Sequence, residues 1–242
     1  MSEEIIPGKW TENRLNSILK EAAGISAPGE RIGYLSGHFL GTPYNSSTLT
    51  GDMNTPEVFT INLKELDCLT FIEYIEAMRI SGSFAEFKDN LRKVRYGSGR
   101  VDFRARNHFF TDWKEANQGL IHDITASIGG GKSVTTSKNL NKKIDETFYL
   151  PGILPKIRKI TFLPAEHADN IFKEKLMTGD YAGIYSEKAG LDVSHVGIII
   201  KKDNSVYLRH ASSSKNIMKV IDEDLSRYMK SKSGIIIFRP IQ

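Results

Sequence analysis

The change of hydrophobic period along the chain limits its fold more than any other feature. Up to Gly82, apolar residues recur at the three- and four-residue spacing of helices, whereas after Met177 they form short runs typical of strands. Helices that precede a group of strands, instead of alternating with them, favour an α+β fold. With 242 residues the chain can bury a sizeable core, so we predict one domain spanning residues 1–242.

Three helices are predicted in the first third of the chain, each beginning at a capping residue or a proline. Apolar residues follow at helical spacing, and glycine lies near each end. The predicted spans are 11–24, 28–40 and 67–82, and Gly41-Thr42-Pro43 terminates the second of them. Asp67 caps the third of these helices, which places Cys68 in its first turn.

The rest of the chain gives mixed signals. Turn-forming residues indicate a loop over 44–62, an exposed loop or hairpin tip over 128–143 and a connection over 151–155. We expect short helices at 84–94 and 167–177, and strand character at 101–103 and 108–110. The clearer predicted strands are 181–185, 194–201, 206–210 and 235–238. Residues from about 84 to 165 are interpreted as an insertion within the single domain.

Composition excludes several classes of protein. The 33 basic and 29 acidic residues give a net charge of +4 without a basic run, which argues against nucleic-acid binding. The longest apolar runs, such as residues 196–200, fall far short of the ~20 residues that a membrane span needs. The first residues do not resemble a secretory signal. We therefore expect a cytoplasmic protein, or a periplasmic or secreted one if an export signal has been removed.

The single cysteine, Cys68, excludes an internal disulfide and raises the question of a nucleophile. A thiol attacks as its thiolate, and a helix N-terminus beside an imidazolium is an arrangement that lowers the thiol pKa. The predicted position of Cys68 meets the first of these requirements. Most free cysteines are small core residues, so this position alone does not establish catalysis.

Two histidines supply a candidate base and its partner. His195 begins one predicted strand and His210 ends the next, with the turn signal Asp203-Asn204 between them. A two- or four-residue loop centred between Lys202 and Asn204 places His210 opposite His195 or opposite Gly197, and in both registers the two histidines project from one face. His195 then deprotonates Cys68, and His210 accepts a hydrogen bond from its other ring nitrogen.

Two other kinds of site are disfavoured by spacing. A zinc site would need three or four protein ligands, and no CxxC or HExxH spacing supplies them. The run Gly129-Gly130-Gly131-Lys132-Ser133 suggests a phosphate-binding loop, but Ala126 stands where that motif needs glycine. We expect neither a metal nor any other cofactor, and we assign His38, His108, His122 and His167 structural or solvated roles.

The order of several motifs resembles the NlpC-type papain-like hydrolases of the bacterial cell wall. These motifs are Gly41-Thr42-Pro43-Tyr44, Leu66-Asp67-Cys68, Thr178-Gly179-Asp180, Ser194-His195-Val196-Gly197 and His210-Ala211-Ser212. Two further segments are similar to the N-acetylmuramoyl-L-alanine amidase-like branch of that superfamily. They are Asp67-Cys68-Leu69-Thr70-Phe71-Ile72-Glu73 and Arg106-Asn107-His108-Phe109-Phe110-Thr111-Asp112-Trp113.

The resemblance implies a papain-like fold in which the helix carrying Cys68 packs on an antiparallel sheet. It also implies a catalytic triad of Cys68, His195 and His210, and makes Tyr44 a candidate to assist the oxyanion or contact substrate. Leu69 and Thr70 replace the commoner Ser-Gly after the cysteine, which favours the amidase branch over the endopeptidases.

Four residues near these motifs are candidates for contact with a peptidoglycan substrate. Asp112 and Trp113 offer an acceptor and a flat aromatic face, although a buried tryptophan beside a capping aspartate is equally typical. Asp192 and Ser194 flank His195 and either contact substrate or only shape the start of the strand.

We therefore predict a cysteine hydrolase of peptidoglycan fragments that cleaves the amide between N-acetylmuramic acid and L-alanine. Two alternatives remain open from the sequence. One is an endopeptidase that cleaves between D-glutamate and the diamino acid of the stem peptide, and the other is a non-catalytic module that binds wall fragments. The sequence predicts no oligomeric state.

Overall fold

A computed structural model describes residues 2–241 and has a mixed α+β architecture. The helices are α1 (Glu12–Ala23), α2 (Pro28–Gly37), α3 (Cys68–Arg79), α4 (Phe84–Arg95), α5 (Phe110–Ala116), α6 (Thr125–Ile128), α7 (Asn170–Lys175) and α8 (Leu225–Met229). The strands are β1 (Glu3–Ile6), β2 (Phe59–Asn62), β3 (Ile121–Asp123), β4 (Val134–Leu140), β5 (Lys156–Pro164), β6 (Tyr181–Tyr185), β7 (Val193–Lys202), β8 (Ser205–Ser212), β9 (Lys219–Asp224) and β10 (Gly234–Pro240). Single 3-10 turns lie at Phe103–Ala105 and Ala165–His167.

The helices with local sequence signals form where they were predicted. Thr11 caps α1 by accepting a hydrogen bond from the Arg14 N–H, and Gly24 ends the helix. Ser83 caps α4 in the same way through the Glu86 N–H. The predicted helices at 67–82 and 84–94 are confirmed to within a few residues, because capping side chains and apolar spacing act within one segment.

Some predicted spans are wrong because long-range hydrogen bonds compete with local preference. The helix expected to continue to Leu40 ends at Gly37, since the backbone that follows pairs with β9 through Gly41 and Thr42. Residues 101–103 and 108–110 form no strand; they enter a 3-10 turn and the start of α5. The loop expected over 44–62 contains buried β2, which pairs in parallel with β1.

The main sheet runs in the order β4-β5-β10-β6-β7-β8-β9, with antiparallel neighbours throughout, and β3 pairs with β10. All four of the clearer predicted strands are confirmed as β6, β7, β8 and β10. The expected exposed segment 128–143 includes β4, which forms a ladder with the unpredicted strand β5. An α+β fold with an antiparallel sheet is therefore confirmed.

The main sheet lies between two layers of helices. Alternate residues of each central strand enter different clusters, as the two-residue repeat of a strand requires. In β7, Val196 and Ile198 pack in the larger cluster with α1 to α5, whereas Ile199 packs in the smaller cluster with α6 to α8. Helix α3 therefore packs over β7 and β8, and its N-terminus lies near one end of these strands.

Candidate active site

Cys68 is the first residue of α3, and the turn that precedes it is fixed by a reciprocal cap. The Asp67 carboxylate accepts hydrogen bonds from the N–H groups of Leu69 at 2.8 Å and Thr70 at 2.7 Å. In return, the Thr70 hydroxyl accepts a hydrogen bond from the Asp67 N–H at 3.0 Å. The thiol is therefore held at the electropositive end of a twelve-residue helix, as the sequence predicted.

A buried ion pair between Arg95 and Glu73 lies near this cap and acts on the charge of Asp67. The Arg95 guanidinium lies 2.7 Å from the Glu73 carboxylate and donates to the Thr60 carbonyl at 2.7 Å. Burial raises the pKa of Asp67, and the positive charge of Arg95 opposes that rise. The sequence interpretation did not include this pair, although Glu73 is a charged residue within an apolar helical run and was a usable signal.

The two predicted histidines are in direct contact. Asp203 and Asn204 form a two-residue turn between β7 and β8, and the ladder continued from Ile198 and Arg209 places His210 opposite Gly197. The Nε2 atom of His195 lies 2.7 Å from Nδ1 of His210, with the rings almost perpendicular.

The chain of polar groups continues beyond the histidines. Nε2 of His210 lies 3.4 Å from the carboxylate of Glu223 on β9, an ion-pair distance that is long for a hydrogen bond. Tyr228 of α8 packs edge-on against His210, with ring centres 5.2 Å apart. The Lys232 ammonium lies over the Tyr228 ring. The sequence interpretation did not include these three residues, because neither β9 nor α8 carries a strong local signal.

Burial dominates the acid–base properties of this site. It raises the pKa of the Cys68 thiol to about 12, and the negative charge of Asp67 adds to the rise, whereas the N–H groups of Val196, Cys68 and Leu69 oppose it. Burial also lowers the pKa of His195 to about 3, with His210 and Lys232 acting in the same direction. The expected thiolate–imidazolium pair is therefore not the favoured state of the free site, which holds a neutral thiol and a neutral imidazole.

Cys68 and His195 line one cavity of about 260 Å³ together with Leu69, Phe110 and Val196. Among the described residues no hydrogen bond joins the thiol to His195. Hydrogen bonds between catalytic groups are often long without substrate and shorten when it binds. The shared cavity therefore meets the spatial requirement for the predicted pair without fixing its final contact.

Two of the predicted substrate-contacting residues lie in the same cavity wall. Asp192 is buried, and its carboxylate accepts hydrogen bonds from the N–H and hydroxyl of Thr111 and from the Val193 N–H. Ser194 is exposed and donates to the Ile184 carbonyl at 3.3 Å. Asp192 thus joins α5 to the start of β7, while Ser194 keeps an accessible hydroxyl.

Tyr44 lies beside the thiol, as the resemblance implied. Its backbone bridges to Leu66, just before the cap of α3, and its N–H donates to the Met218 carbonyl. Burial raises the pKa of the Tyr44 hydroxyl, and the charges of Cys68 and Asp67 add to that rise, so the hydroxyl stays protonated and able to donate.

Asp112 and Trp113, although adjacent in sequence, lie in different environments. Trp113 is 0% exposed, stacks on Phe110 and packs against Tyr181. Its predicted contact with substrate is therefore corrected to a core-packing role, because a side chain without accessible surface offers no face to a ligand. Asp112 is partly exposed and pairs with Arg158 and Lys156 in a neighbouring cavity.

His108 was expected from the sequence to be structural or solvated, and it lies in the wall of the thiol cavity. Its Nε2 atom lies 2.7 Å from the Phe103 carbonyl, and burial lowers its pKa to about 4.

Within residues 2–241 no group of three or more His, Cys, Asp or Glu side chains is arranged to hold a metal ion. Over the same residues no helix is both long and apolar enough to cross a membrane.

Comparison with known proteins agrees with the motifs. The sequence model of the AmiA-like family, described as N-acetylmuramoyl-L-alanine amidase-like, matches residues 34–235. No curated protein matches the sequence of this chain significantly.

Solved structures with a similar fold include proteins from Bacteroides species and from Legionella pneumophila. An N-acetylmuramoyl-L-alanine amidase from Bacteroides uniformis has a TM-score of 0.72 and 26% identity, covering 89% of this chain and 99% of its own. A Legionella pneumophila protein of the DUF1460 family has a TM-score of 0.79 and 22% identity over 96% of both chains. A Bacteroides fragilis protein named as a candidate xylanase has a TM-score of 0.65 and 28% identity, covering 84% of this chain and 98% of its own. The family model spans most of the sequence, and the amidase-like branch indicated by the motifs is confirmed: the chain belongs to the N-acetylmuramoyl-L-alanine amidase-like family.

Proposed function

We propose that this protein is a papain-like cysteine amidase that hydrolyses the bond between N-acetylmuramic acid and L-alanine in peptidoglycan fragments. The observation that carries the proposal is the shared cavity of Cys68 and His195, with His195 hydrogen-bonded to His210. The amidase-like family and the Bacteroides uniformis amidase of the same fold support the choice of substrate. A helix-borne thiol packed beside an antiparallel sheet supports the papain-like interpretation.

The contact between the two histidines supports one direction of proton transfer. His195 donates its Nε2 proton to Nδ1 of His210, which leaves Nδ1 of His195 free to take the proton of the Cys68 thiol. The proton of His210 then lies on Nε2, facing the Glu223 carboxylate. His210 acts as a positioning residue that fixes the tautomer and the ring orientation of His195.

Each half-reaction balances in protons. The Cys68 sulfur attacks the lactyl carbonyl, and the Cys68 N–H and the Tyr44 hydroxyl donate to the developing oxyanion. His195 gives the proton to the L-alanine nitrogen, the carbon–nitrogen bond breaks, and the free amine leaves while the acyl group stays on Cys68 as a thioester. A water molecule then attacks the thioester and gives one proton to His195, which passes it to the Cys68 sulfur as the carbon–sulfur bond breaks. The lactyl acid leaves and loses its remaining proton to solvent.

Hydrolysis of a sugar–sugar bond is not supported by this cavity. Glycoside hydrolysis in most enzymes needs two carboxyl groups that face one substrate. Of the described residues that line the thiol cavity, Asp192 is the one acid, and it already accepts three hydrogen bonds from the protein. The candidate-xylanase name of the Bacteroides fragilis relative therefore adds no second candidate function here.

The proposal also covers the insertion, the extent of the domain and the localisation. We propose that residues 84–165 act as an insertion that shapes the substrate site, because Tyr149 and Leu150 lie in the cavity wall beside His108. We propose a single catalytic domain over 1–242. We propose that the protein is periplasmic or secreted if an export signal is removed from the chain, and cytoplasmic otherwise.

Product identification from a defined disaccharide-tripeptide tests the proposed function. We expect mass spectrometry to find a free lactyl carboxylate and a peptide that begins with L-alanine. Cleavage after D-glutamate would identify an endopeptidase instead. We expect Cys68→Ala and His195→Ala to lose at least ~1,000-fold in kcat/KM, whereas His167→Ala, outside the cavity, retains parent activity. Parent-level cleavage by the Cys68 variant would contradict the assignment.

A further inference from the structure

Three neighbouring cavities share His108 as a lining residue. The first is the thiol cavity, and the second, of about 210 Å³, continues past Leu69 and Leu150 toward Asp67 and Arg106. The third has a volume of about 330 Å³ and shares His108 and Phe109 with the thiol cavity. We call this third space the basic cavity; its charged wall consists of Arg104, Arg106, Asp112 and Lys156.

The charges of the basic cavity do not cancel. Three cationic side chains face it against one carboxylate, that of Asp112. This carboxylate is already bonded to Arg158, which lies behind the wall, and it stands 3.4 Å from the Lys156 ammonium. Arg106 is paired with Glu57, and Arg158 also lies 3.8 Å from Glu115. Once these acids are counted, the positive charge left over at the cavity is that of Arg104.

The two arginines of the wall differ in how firmly they are held. Arg106 donates to the buried carboxylate of Glu57 at 3.0 Å and lies over the Phe103 ring. Arg104 is exposed, and among residues 2–241 its guanidinium has no ion-pair partner. A guanidinium with open donors suits a carboxylate, because its fork can make two parallel charge-assisted hydrogen bonds.

The proposed substrate has a carboxylate on one side of the scissile amide only. On the sugar side, the lactyl carboxyl is consumed in the amide itself, and the sugar is neutral. On the peptide side, D-glutamate follows L-alanine, so its α-carboxylate lies about two residues away, ~7 Å along an extended chain. A basic cavity that adjoins the thiol cavity is thus matched to the peptide side.

Resting on the proposed function, we propose that the basic cavity binds the free α-carboxylate of D-glutamate in the stem peptide. Arg104 is the principal contact, with Arg106 and Lys156 adding to the positive field. The preferred substrate is then a muropeptide with an acidic stem, and a stem in which this carboxylate is amidated, as in D-isoglutamine, is a poor one. The orientation of the substrate follows, with the peptide toward Arg104 and the sugar away from it.

Two tripeptide substrates that differ only at this group test the proposal. In both, the γ-carboxyl of D-glutamate is joined to the diamino acid, so the α-position alone changes from carboxylate to amide. For the parent protein we expect kcat/KM to be about tenfold higher on the free acid, the scale of one partly exposed charge-assisted hydrogen bond. Arg104→Gln should bring this ratio close to one, because it lowers kcat/KM on the free acid more than on the amide. Arg14→Gln, an exposed arginine on α1, should keep the parent ratio.

Each contrary outcome overturns a different statement. Equal kcat/KM on the two substrates, or an unchanged ratio in Arg104→Gln, overturns the proposed carboxylate site. A loss of rate on amidating the diamino acid, with none on amidating D-glutamate, assigns the cavity to the diamino acid and also overturns it. If the parent cleaves neither substrate, the proposed function fails, and calorimetric titration of Cys68→Ala with both muropeptides still decides whether the free acid binds more tightly.

Discussion

At the scale of single residues, the reactive thiol is subject to opposing influences. The helix N-terminus and three N–H groups favour the thiolate, whereas burial and the adjacent Asp67 carboxylate favour the thiol. Burial likewise keeps His195 neutral. Transfer of the proton from Cys68 to His195 creates both charges together, and their mutual attraction offsets part of the desolvation that each would suffer alone. The resting site is therefore a neutral pair, in which activation consists of proton transfer from the thiol to the imidazole.

Replacing Asp67 by asparagine separates its charge from its capping role. Asparagine caps a helix about as well as aspartate, so α3 should stay intact while the negative charge beside the thiol is lost. Because that charge raises the pKa of Cys68, we expect Asp67→Asn to lower the thiol pKa and speed alkylation by iodoacetamide several-fold at pH 7.

The control for this experiment is Asp67→Ala, which removes charge and cap together. It should lower the free energy of unfolding by ~1 kcal/mol, whereas the asparagine variant should remain near the parent value. An alkylation rate in Asp67→Asn that is equal to or below the parent rate, measured across pH 6 to 10, would show that the Asp67 charge does not restrain the thiol.

At the scale of secondary-structure elements, the β7–β8 hairpin sets the geometry of the histidine pair. Its two-residue turn fixes the register, and Gly197 supplies the space that the pair needs. A Cβ atom added to Gly197 would lie 2.8 Å from the Arg209 carbonyl oxygen and 3.0 Å from the His210 Cβ. Both contacts are too close, and one of them is to backbone, so the two strands would have to move apart.

We therefore expect Gly197→Ala to lower kcat by at least about tenfold, because a shift of His210 releases the ring of His195 from its fixed orientation. The melting temperature should fall as well, since the clash lies within a buried ladder. Gly119→Ala is the matched control, because a Cβ at that position meets no atom within 4 Å. Parent kcat in Gly197→Ala would mean that the spacing of the two strands does not limit the reaction.

The elements also show which parts of the fold the sequence could predict. Helices α1 and α3 and the β7–β8 hairpin were predictable because caps, apolar spacing and a two-residue turn act locally. Strand β5 was not, because it pairs with the distant strand β10, and β9 was not, because its sequence is largely polar although its partner β8 is adjacent.

The candidate site divides in the same way. The triad candidates lie on elements with strong local signals, so their contacts could be anticipated. The residues that surround them, Glu223 and Tyr228, follow from the path of β9 and α8 and could not. Trp113 shows a further limit of prediction from sequence. The sequence around an aromatic residue near a site motif does not indicate whether its ring lies in the core or in a cavity wall.

At the scale of the whole molecule, burial of neutral histidines couples stability to pH. Burial lowers the pKa of His108 to about 4, below the 6.5 of a free imidazole. Above pH 6.5 the side chain is neutral in both states. Between pH 6.5 and 4 the unfolded chain binds a proton that the folded protein does not, so this group lowers stability by up to ~1.4 kcal/mol per pH unit.

Glutamine at position 108 lacks this titration and can still donate to the Phe103 carbonyl. We expect the parent to lose its advantage over His108→Gln as the pH falls. The difference in melting temperature should be most favourable to the parent near pH 7 and should shrink steadily toward pH 4. Comparing two variants at each pH cancels the contributions of the other ionisable groups. A constant difference from pH 7 to 4 would contradict burial of a neutral imidazole.

The position of the thiol on α3 and of the histidines on β7 and β8 has a consequence for the order of folding. More than a hundred residues separate Cys68 from His195. Bringing these two residues together costs conformational entropy, and this cost arises before the contacts that offset it have formed. Hairpins and single helices form in microseconds, whereas pairing of such distant segments belongs among the slow events. The nascent chain therefore carries an unpaired thiol until the final strands have been made. Reactivity appears only when the helical layer and the sheet dock.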